Sequence, residues 1–312
     1  MQRILVRPET LAFAFIGVML LAGSVYSANF LSATYLLQQL QVASFLGIIA
    51  SGAMIVILLG HIDLSIPWVV TVGGMMSTAA AGWWDPALAL PFGVLCGLLV
   101  GLVNGLGVAF LRIPSMIFTL GINAVAQGLM VLHTGGFAPQ DRATPFMHWL
   151  SVERSLLGIP NALFVWLIVG SAVAAILGRT PLGRYIYAIG NREAVAYLSG
   201  VDTRGVLVVC FAISGACSAL AGVLLAGYSE KAYQAMGDAY LLPAIAAVVL
   251  GGTNILGGRG TYLGTIAGVI LIGLLQSILS VMQMPEAGRQ IIYGSVIIAM
   301  LLVYGRGIRV HG

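Results

Sequence analysis

Between two apolar runs, the segment Gly60-His61-Ile62-Asp63-Leu64-Ser65-Ile66-Pro67 sets an imidazole, a carboxylate and a hydroxyl at alternate positions. Three kinds of chemistry fit these groups. The Asp63 carboxylate can cap the free N–H groups of a following helix, it can touch or gate a solute, or it can relay a proton. Pro67 restricts Ile66 and suits the first turn of a new helix, with Ser65 as a candidate cap. The spacing therefore predicts a broken-helix motif near residues 60–67. An aspartate at the centre of a bilayer costs at least ~2.5–3.5 kcal/mol, so Asp63 must face protein, a cavity or the interface. A relay also needs a second buried acid to take the proton, and none is spaced to do so.

The remaining polar groups inside apolar stretches are amides and hydroxyls. Asn104, Asn123, Gln127, Thr253, Asn254 and Gln276 join His61, Asp63 and Ser65 as candidates for a substrate path, and Ser44 and Thr119 have the same character. Asn123 and Gln127 are spaced i,i+4 and share a helix face. Uncharged amides in a helical bundle can simply bond neighbouring helices, at about 0.6 kcal/mol each. The same inventory also fits a path for a neutral polyhydroxylated solute better than one for an ion, because rings of charge are missing. A second focus is Asn191–Gly200, where Glu193, Ala194, Ala196 and Tyr197 follow helical spacing in an element too hydrophilic to span a membrane. It reads either as an amphipathic connector at the interface or as a short helix whose small apolar face docks into a partner's groove.

Several chemistries are missing from the sequence. It contains no Gly-x-x-x-x-Gly-Lys-Ser/Thr run, and its single lysine, Lys231, stands in an expected outer loop; the chain itself has no such grip on ATP phosphates. His61, His133, His148 and His311 lack metal-ligand spacing. Nothing reads as a nucleophile elbow, so no catalytic residue is assigned and no enzyme is expected. Cys96, Cys210 and Cys217 lie in apolar stretches and read as inert packing residues. Two helical turns separate Cys210 from Cys217, about 10 Å of rise and too far for a disulfide.

The elements that must position these residues are membrane helices. Of 312 residues, 60% are hydrophobic and 8% charged, against roughly 25% charged in a soluble domain, and the mean hydropathy is +1.03. Such a composition excludes a cytosolic enzyme, a nucleic-acid-binding domain and a secreted disulfide scaffold. Unbroken runs such as Leu11–Leu21 and Ile266–Leu275 exclude the alternation of a membrane β-barrel. The expected class is an all-α polytopic bundle, one transmembrane domain over residues 1–312. Its apolar runs fall near 10–28, 40–59, 66–83, 87–111, 115–134, 161–178, 205–227, 239–256, 261–282 and 290–305, about ten spans. The basic start Met1–Arg7 resembles a signal peptide, but a long apolar run and further spans favour a retained first helix. With the N-terminus inside, ten arginines lie at the inner face, and only Arg142, Arg154, Lys231 and Arg289 lie outside. That bias supports the count and places both termini in the cytoplasm. The longer connections are an outer one near 135–160 and an inner one near 179–204.

There is a faint internal echo. Val56–Asp63 resembles Val248–Asn254, and Gly101–Leu106 resembles Gly273–Ile278, with unequal spacing between echoes. A duplicated half-bundle, as in many transporters, and a chance likeness both remain open.

Taken together, Gly60–Ser65, the stretch from Arg112-Ile113-Pro114 to Thr119-Leu120-Gly121, Gly183–Gly200, and Gly251-Gly252-Thr253 to Gly264-Thr265 resemble the ribose/galactose-type sugar permeases of bacterial ABC importers. The match runs in order along nearly the whole chain. The resemblance implies a type II (vitamin B12-importer-like) permease subunit in the bacterial inner membrane, which pairs with a second permease subunit as a homodimer or heterodimer. It implies partner ATP-binding subunits that hold ATP and Mg at the cytoplasmic face, a periplasmic sugar-binding protein outside, and no cofactor in this chain. It makes Asn191, Arg192, Glu193, Ala194, Ala196, Tyr197 and Leu198 the coupling segment received by the ATPase, and it sets Gly60–Ser65 near the translocation path. Two residues depart from the family's Gly-Gly-Ile-Asp-Leu-Ser-Val-Gly pattern: His61 replaces the second glycine and Pro67 the last. An imidazole there can narrow or repolarise the path, and the proline stiffens the helix start. The alternatives are a self-sufficient, ion-coupled secondary transporter using Asp63 or His61, and a membrane scaffold that transports nothing.

Overall fold

The computed structural model describes residues 8–26, 28–285, 287–295 and 298. The start Met1–Arg7 and most of the expected span 290–305, with Arg306 and Arg309, lie outside the described residues. The helices are α1 (Pro8–Tyr26), α2 (Ala33–Leu58), α3 (Ile66–Trp83), α4 (Ala89–Leu111), α5 (Ser115–His133), α6 (Pro145–Val152), α7 (Asn161–Arg179), α8 (Pro181–Leu198), α9 (Thr203–Tyr228), α10 (Leu241–Leu250) and α11 (Tyr262–Val281). Among the described residues, the only β-type pairings are isolated bridges, Arg142 with Lys231 and Leu156 with Ile159.

Among the described residues, six helices are long and apolar enough to cross a membrane: α2, α4 with its preceding turn, α5, α7, α9 and α11. α10 departs from the expected span 239–256. It is a 10-residue helix, about 15 Å long, and the chain then turns through Gly251–Gly260. The glycines that made this stretch read as apolar are the residues that end the helix. α8 departs in the other direction. The stretch between Arg179 and Arg204 forms a helix from Pro181 to Leu198, broken by extended backbone at Arg192.

α2 is apolar all round and sits at the centre, with 89% of its most apolar window buried; a helix without a polar face must be surrounded. α9, α11, α7 and α10 pack against it, and α3 and α4 lie along α9. Glycine permits that last approach. A Cβ on Gly101 would strike the Phe211 carbonyl, and one on Gly215 would strike the Gly97 carbonyl, as in small-residue membrane packing. α5 lies at the rim, with only 22% of its window buried. Threonine hydroxyls cap three helices: Thr144 Oγ1 accepts from Met147 N at 3.2 Å, Thr180 Oγ1 from Gly183 N at 3.3 Å and Thr261 Oγ1 from Gly264 N at 3.2 Å. The connection between α5 and α7 carries α6, which is tied to α9 through His148 Nδ1 and the Gly227 carbonyl at 3.2 Å. Cys210 and Cys217 are free and buried, and Cys96 is free and half-buried.

Candidate functional site

α2 ends where Gly60 takes φ +82°. Gly60 N donates to Ile57 O at 2.9 Å and His61 N to Val56 O at 3.2 Å, so the last carbonyls are closed by a glycine in the left-handed region. Seven residues later Pro67 stands in the first turn of α3, and Ser65 occupies the cap position without capping through its side chain.

Asp63 is 3% exposed. Its Oδ1 accepts from Ser65 N at 3.0 Å and Ser65 Oγ at 2.6 Å, and Oδ2 accepts from Ser214 Oγ of α9 at 3.0 Å. The carboxylate therefore closes the turn and ties it to α9, and it does not cap the first turn of α3, one of the three roles its chemistry allows. The reason is reach, since an aspartate side chain readily meets the N–H two residues on. The N–H of Trp68, inside that first turn, is met instead by Asn123 Oδ1 at 3.3 Å.

Asn123 is one rung of a ladder on α5. Ser115 Oγ accepts from Ile62 N at 3.3 Å and Thr119 Oγ1 from Leu64 N at 2.9 Å. Ser115, Thr119 and Asn123, each four residues apart, thus receive three N–H groups that the break leaves without helical partners. From α4, Asn104 Nδ2 donates to Ser65 Oγ at 2.7 Å, while the buried Asn104 Oδ1 has no partner. The structure thus joins Asp63, Ser65, Asn104 and Asn123 in one network and adds Ser115, Thr119 and Ser214. The sequence pairs Asn123 with Gln127 at i,i+4, whereas the ladder runs the other way from Asn123, through Thr119 to Ser115, at the same spacing; the distant Ser214 carries no such signal.

The other candidates lie elsewhere. Gln127 is exposed further along α5. Thr253 is buried, and its Oγ1 has no partner. Asn254 Oδ1 accepts from Leu256 N at 3.1 Å, within a turn whose Gly258 N donates to Leu58 O at 2.9 Å. Gln276 is separate from all of these, in a cavity of about 500 Å³ beside Tyr35, Gln39 and Ser277. There Tyr35 and Ser277 share a hydroxyl–hydroxyl bond.

His61 points away from the Asp63 network. Its ring lies 6.2 Å from that of Phe211, and it lines a cavity of about 470 Å³ with Arg112, Glu193, Tyr197 and Arg204. The first arm of α8 is wedged against both turns: a Cβ on Gly190 would strike Leu58 O, and Tyr187 Oη donates to Gly260 O at 2.9 Å. After the bend at Arg192 the second arm projects outward. Asn191, Glu193 and Ala194 are exposed, as are Tyr197 and Leu198 at 66% and 83%. Ala196 instead faces its own bundle at 4% and anchors the arm.

The site therefore offers hydroxyl and amide groups around one buried carboxylate. Among the described residues, no three His, Cys, Asp or Glu side chains gather as a metal ion would require.

Comparison with known proteins gives this arrangement its context. The chain is 33% identical over 300 residues to the ribose import permease of Haemophilus influenzae, covering 94% of this chain and 92% of that one. It is 33% identical over 296 residues to the ribose import permease of Bacillus subtilis, covering 93% and 91%. Against the autoinducer 2 import system permease of Yersinia pestis it is 32% identical over 311 residues, covering 96% and 85%. No solved structure matches the chain. The permease component of the branched-chain amino acid transport system is the family that matches residues 35–301, and the chain belongs to it.

Proposed function

We propose that this permease forms the membrane path of an ATP-driven importer for a monosaccharide or similar small polyhydroxylated solute. The observation that carries the solute class is the near end-to-end likeness to import permeases for ribose and for autoinducer 2. The local chemistry agrees, because hydroxyls and amides outnumber charged groups at the break and can exchange hydrogen bonds with solute hydroxyls. The branched-chain amino acid label of the family is broader than these relatives, and a zwitterionic solute would call for paired charges that the Asp63 network lacks.

In this reading the chain crosses the membrane ten times, through α1, α2, α3, α4, α5, α7, α9, α10 with its turn, α11 and the span expected from sequence near 290–305, most of which lies outside the described residues. Both termini and the 179–204 connection face the cytoplasm, where arginines accumulate. ATP and Mg belong to partner ATP-binding subunits, a solute-binding protein delivers from outside, and a second permease subunit completes the path. The second arm of α8 meets the ATPase through Ala194, Tyr197 and Leu198, which leave the bundle surface.

Proteoliposomes test the reading. Ribose uptake is expected only with the ATP-binding partner, the solute-binding protein and ATP all present. Uptake by this chain alone under a sodium or proton gradient would overturn it. Orientation is tested separately in a background lacking Cys96, Cys210 and Cys217: Ser199→Cys should resist an impermeant thiol reagent added to intact cells.

A further inference from the structure

The cavity that holds His61 is not used by the network around Asp63. It lies where four parts of the chain meet: the break after α2, the turn between α4 and α5, the second arm of α8 and the start of α9. Its volume of about 470 Å³ is that of a small-molecule site. The lining is chemically two-sided. Arg112 and Arg204 supply two guanidinium groups, and His61 adds an imidazole; Glu193 and Tyr197 on α8 supply a carboxylate and a phenol.

Among the described residues neither guanidinium is paired with a carboxylate. Arg204 lies over the Phe110 ring, 5.6 Å from its centroid. The neighbouring acid, Asp202, is occupied as the α9 cap, with Oδ1 accepting from Gly205 N at 3.1 Å. Arg112 also sits in left-handed backbone, φ 53° and ψ 29°, at the end of α4. Glycine or asparagine is favoured there, and an arginine carries a conformational cost. Strain at a residue whose side chain lines a cavity points toward a role for that side chain.

We propose that this cavity binds a phosphate ester that carries neighbouring hydroxyls. The two forked guanidiniums suit the phosphate, as bidentate, charge-assisted donors. Glu193 and Tyr197, which line the cavity from α8, suit hydroxyls as acceptor and donor. A bare inorganic phosphate satisfies the first half only. Two sources share the chemistry: a phosphorylated sugar or polyol in solution, and the glycerol-phosphate headgroup of an anionic lipid. An occupant that engages both walls ties the second arm of α8 to α4 and α9. Only the assignment of this end to the cytoplasm rests on the proposed function.

The test measures binding and not transport, so it can fail while the importer reading stands. The full chain is purified into phosphatidylcholine nanodiscs and titrated with ribose 5-phosphate, inorganic phosphate and ribose. Ribose 5-phosphate is expected to bind at least tenfold more tightly than either of the other two. Arg112→Gln and Arg204→Gln should each weaken it at least tenfold, Arg204→Lys about threefold, and Arg179→Gln, whose residue does not line the cavity, not at all. If the lipid is the source, ribose 5-phosphate binds weakly and native mass spectrometry shows phosphatidylglycerol retained by the parent and Arg179→Gln but lost from Arg112→Gln and Arg204→Gln. A thermal unfolding midpoint within two degrees of the parent qualifies each variant, and Arg204→Lys serves if Arg204→Gln does not meet it. Neither probe binding, or equal loss in Arg179→Gln, overturns the site.

Discussion

The chain turns back twice where α8 packs, and the two turns begin alike but are held differently. After α2, Gly60 N meets Ile57 O at 2.9 Å and His61 N meets Val56 O at 3.2 Å; after α10, Gly252 N meets Val249 O at 2.9 Å and Thr253 N meets Val248 O at 3.2 Å. Both glycines take positive φ, +82° and +91°. From there they diverge. Side chains hold the first turn: the Asp63 carboxylate, the Asn104 amide and the hydroxyl and amide ladder on α5. Backbone holds the second, with Asn254 N on Arg259 O at 2.8 Å and Gly258 N reaching across to Leu58 O at 2.9 Å. A turn held by side chains keeps its fold under graded changes of chemistry. A turn held by close backbone contact tolerates little change at all.

The comparison is broken most directly at Gly257. Its φ is +90°, and an added Cβ would lie 2.7 Å from Gly60 N and 2.9 Å from both Gly190 O and Leu58 O. Three backbones would have to move, on top of the penalty for a branched residue at positive φ. Gly257→Val should cost about 3 kcal/mol or more and leave little monodisperse protein on size-exclusion chromatography. Full recovery of that variant would mean the second turn is looser than its contacts imply.

At the first turn the expected effects are smaller and graded. Asp63→Leu leaves Ser65 N–H, Ser65 Oγ and Ser214 Oγ without their acceptor, a loss of about 2–3 kcal/mol. Asp63→Asn keeps one acceptor oxygen and should cost about 1 kcal/mol, retaining substantial uptake with ATPase coupling. Thermal unfolding in detergent ranks the pair, and uptake separates structure from transport. Complete loss of transport in a well-assembled Asp63→Asn variant would show that the negative charge itself is required, as a relay demands.

The two turns also differ in how far they could be read from sequence. Gly60, Asp63 and Pro67 mark a break because each residue type acts locally, on φ, on a nearby N–H or on the helix start. The partners that stabilise the break are not local. Ser214 lies 151 residues from Asp63, and helical periodicity says nothing about which hydroxyl faces which helix. The second turn hides for another reason: Val-Val-Leu-Gly-Gly-Thr-Asn is apolar enough to read as membrane span, although α10 ends at Leu250. The second echo did not translate into shared place, because Asn104 joins the buried network while Gln276 lines a separate cavity. Ala196 belongs to the segment that the resemblance makes the coupling element, and helical spacing alone does not show that, unlike its neighbours, it is buried against the bundle at 4% exposure.

Asn104 sharpens the account of the first turn. Its Nδ2 donates to Ser65 Oγ at 2.7 Å, and its Oδ1 is buried without a partner. Asn104→Leu removes the useful bond and the orphan acceptor together, at similar volume. The net change in unfolding free energy should be about 1 kcal/mol or less, below that of Asp63→Leu. A larger loss would mean the amide oxygen has a partner, such as a buried water, that the network depends on.

The smallest effect on the fold is expected where α8 leaves both turns behind. Up to Gly190 the helix is wedged between them, and substitution there disturbs Leu58 and Gly258 together. Beyond Arg192 only Ala196 returns to the bundle, and Ala194 is exposed. Ala194→Glu should therefore change stability by no more than about 0.5 kcal/mol, as an exposed substitution does. If the arm docks in an ATPase groove, the same carboxylate is buried there without a partner, at a cost of several kcal/mol. The permease should then purify folded but without its ATP-binding subunits, and uptake should fall with them. Unchanged co-purification and unchanged uptake would make the arm a connector, and coupling would have to run through the wedged part of α8, where both turns are within reach.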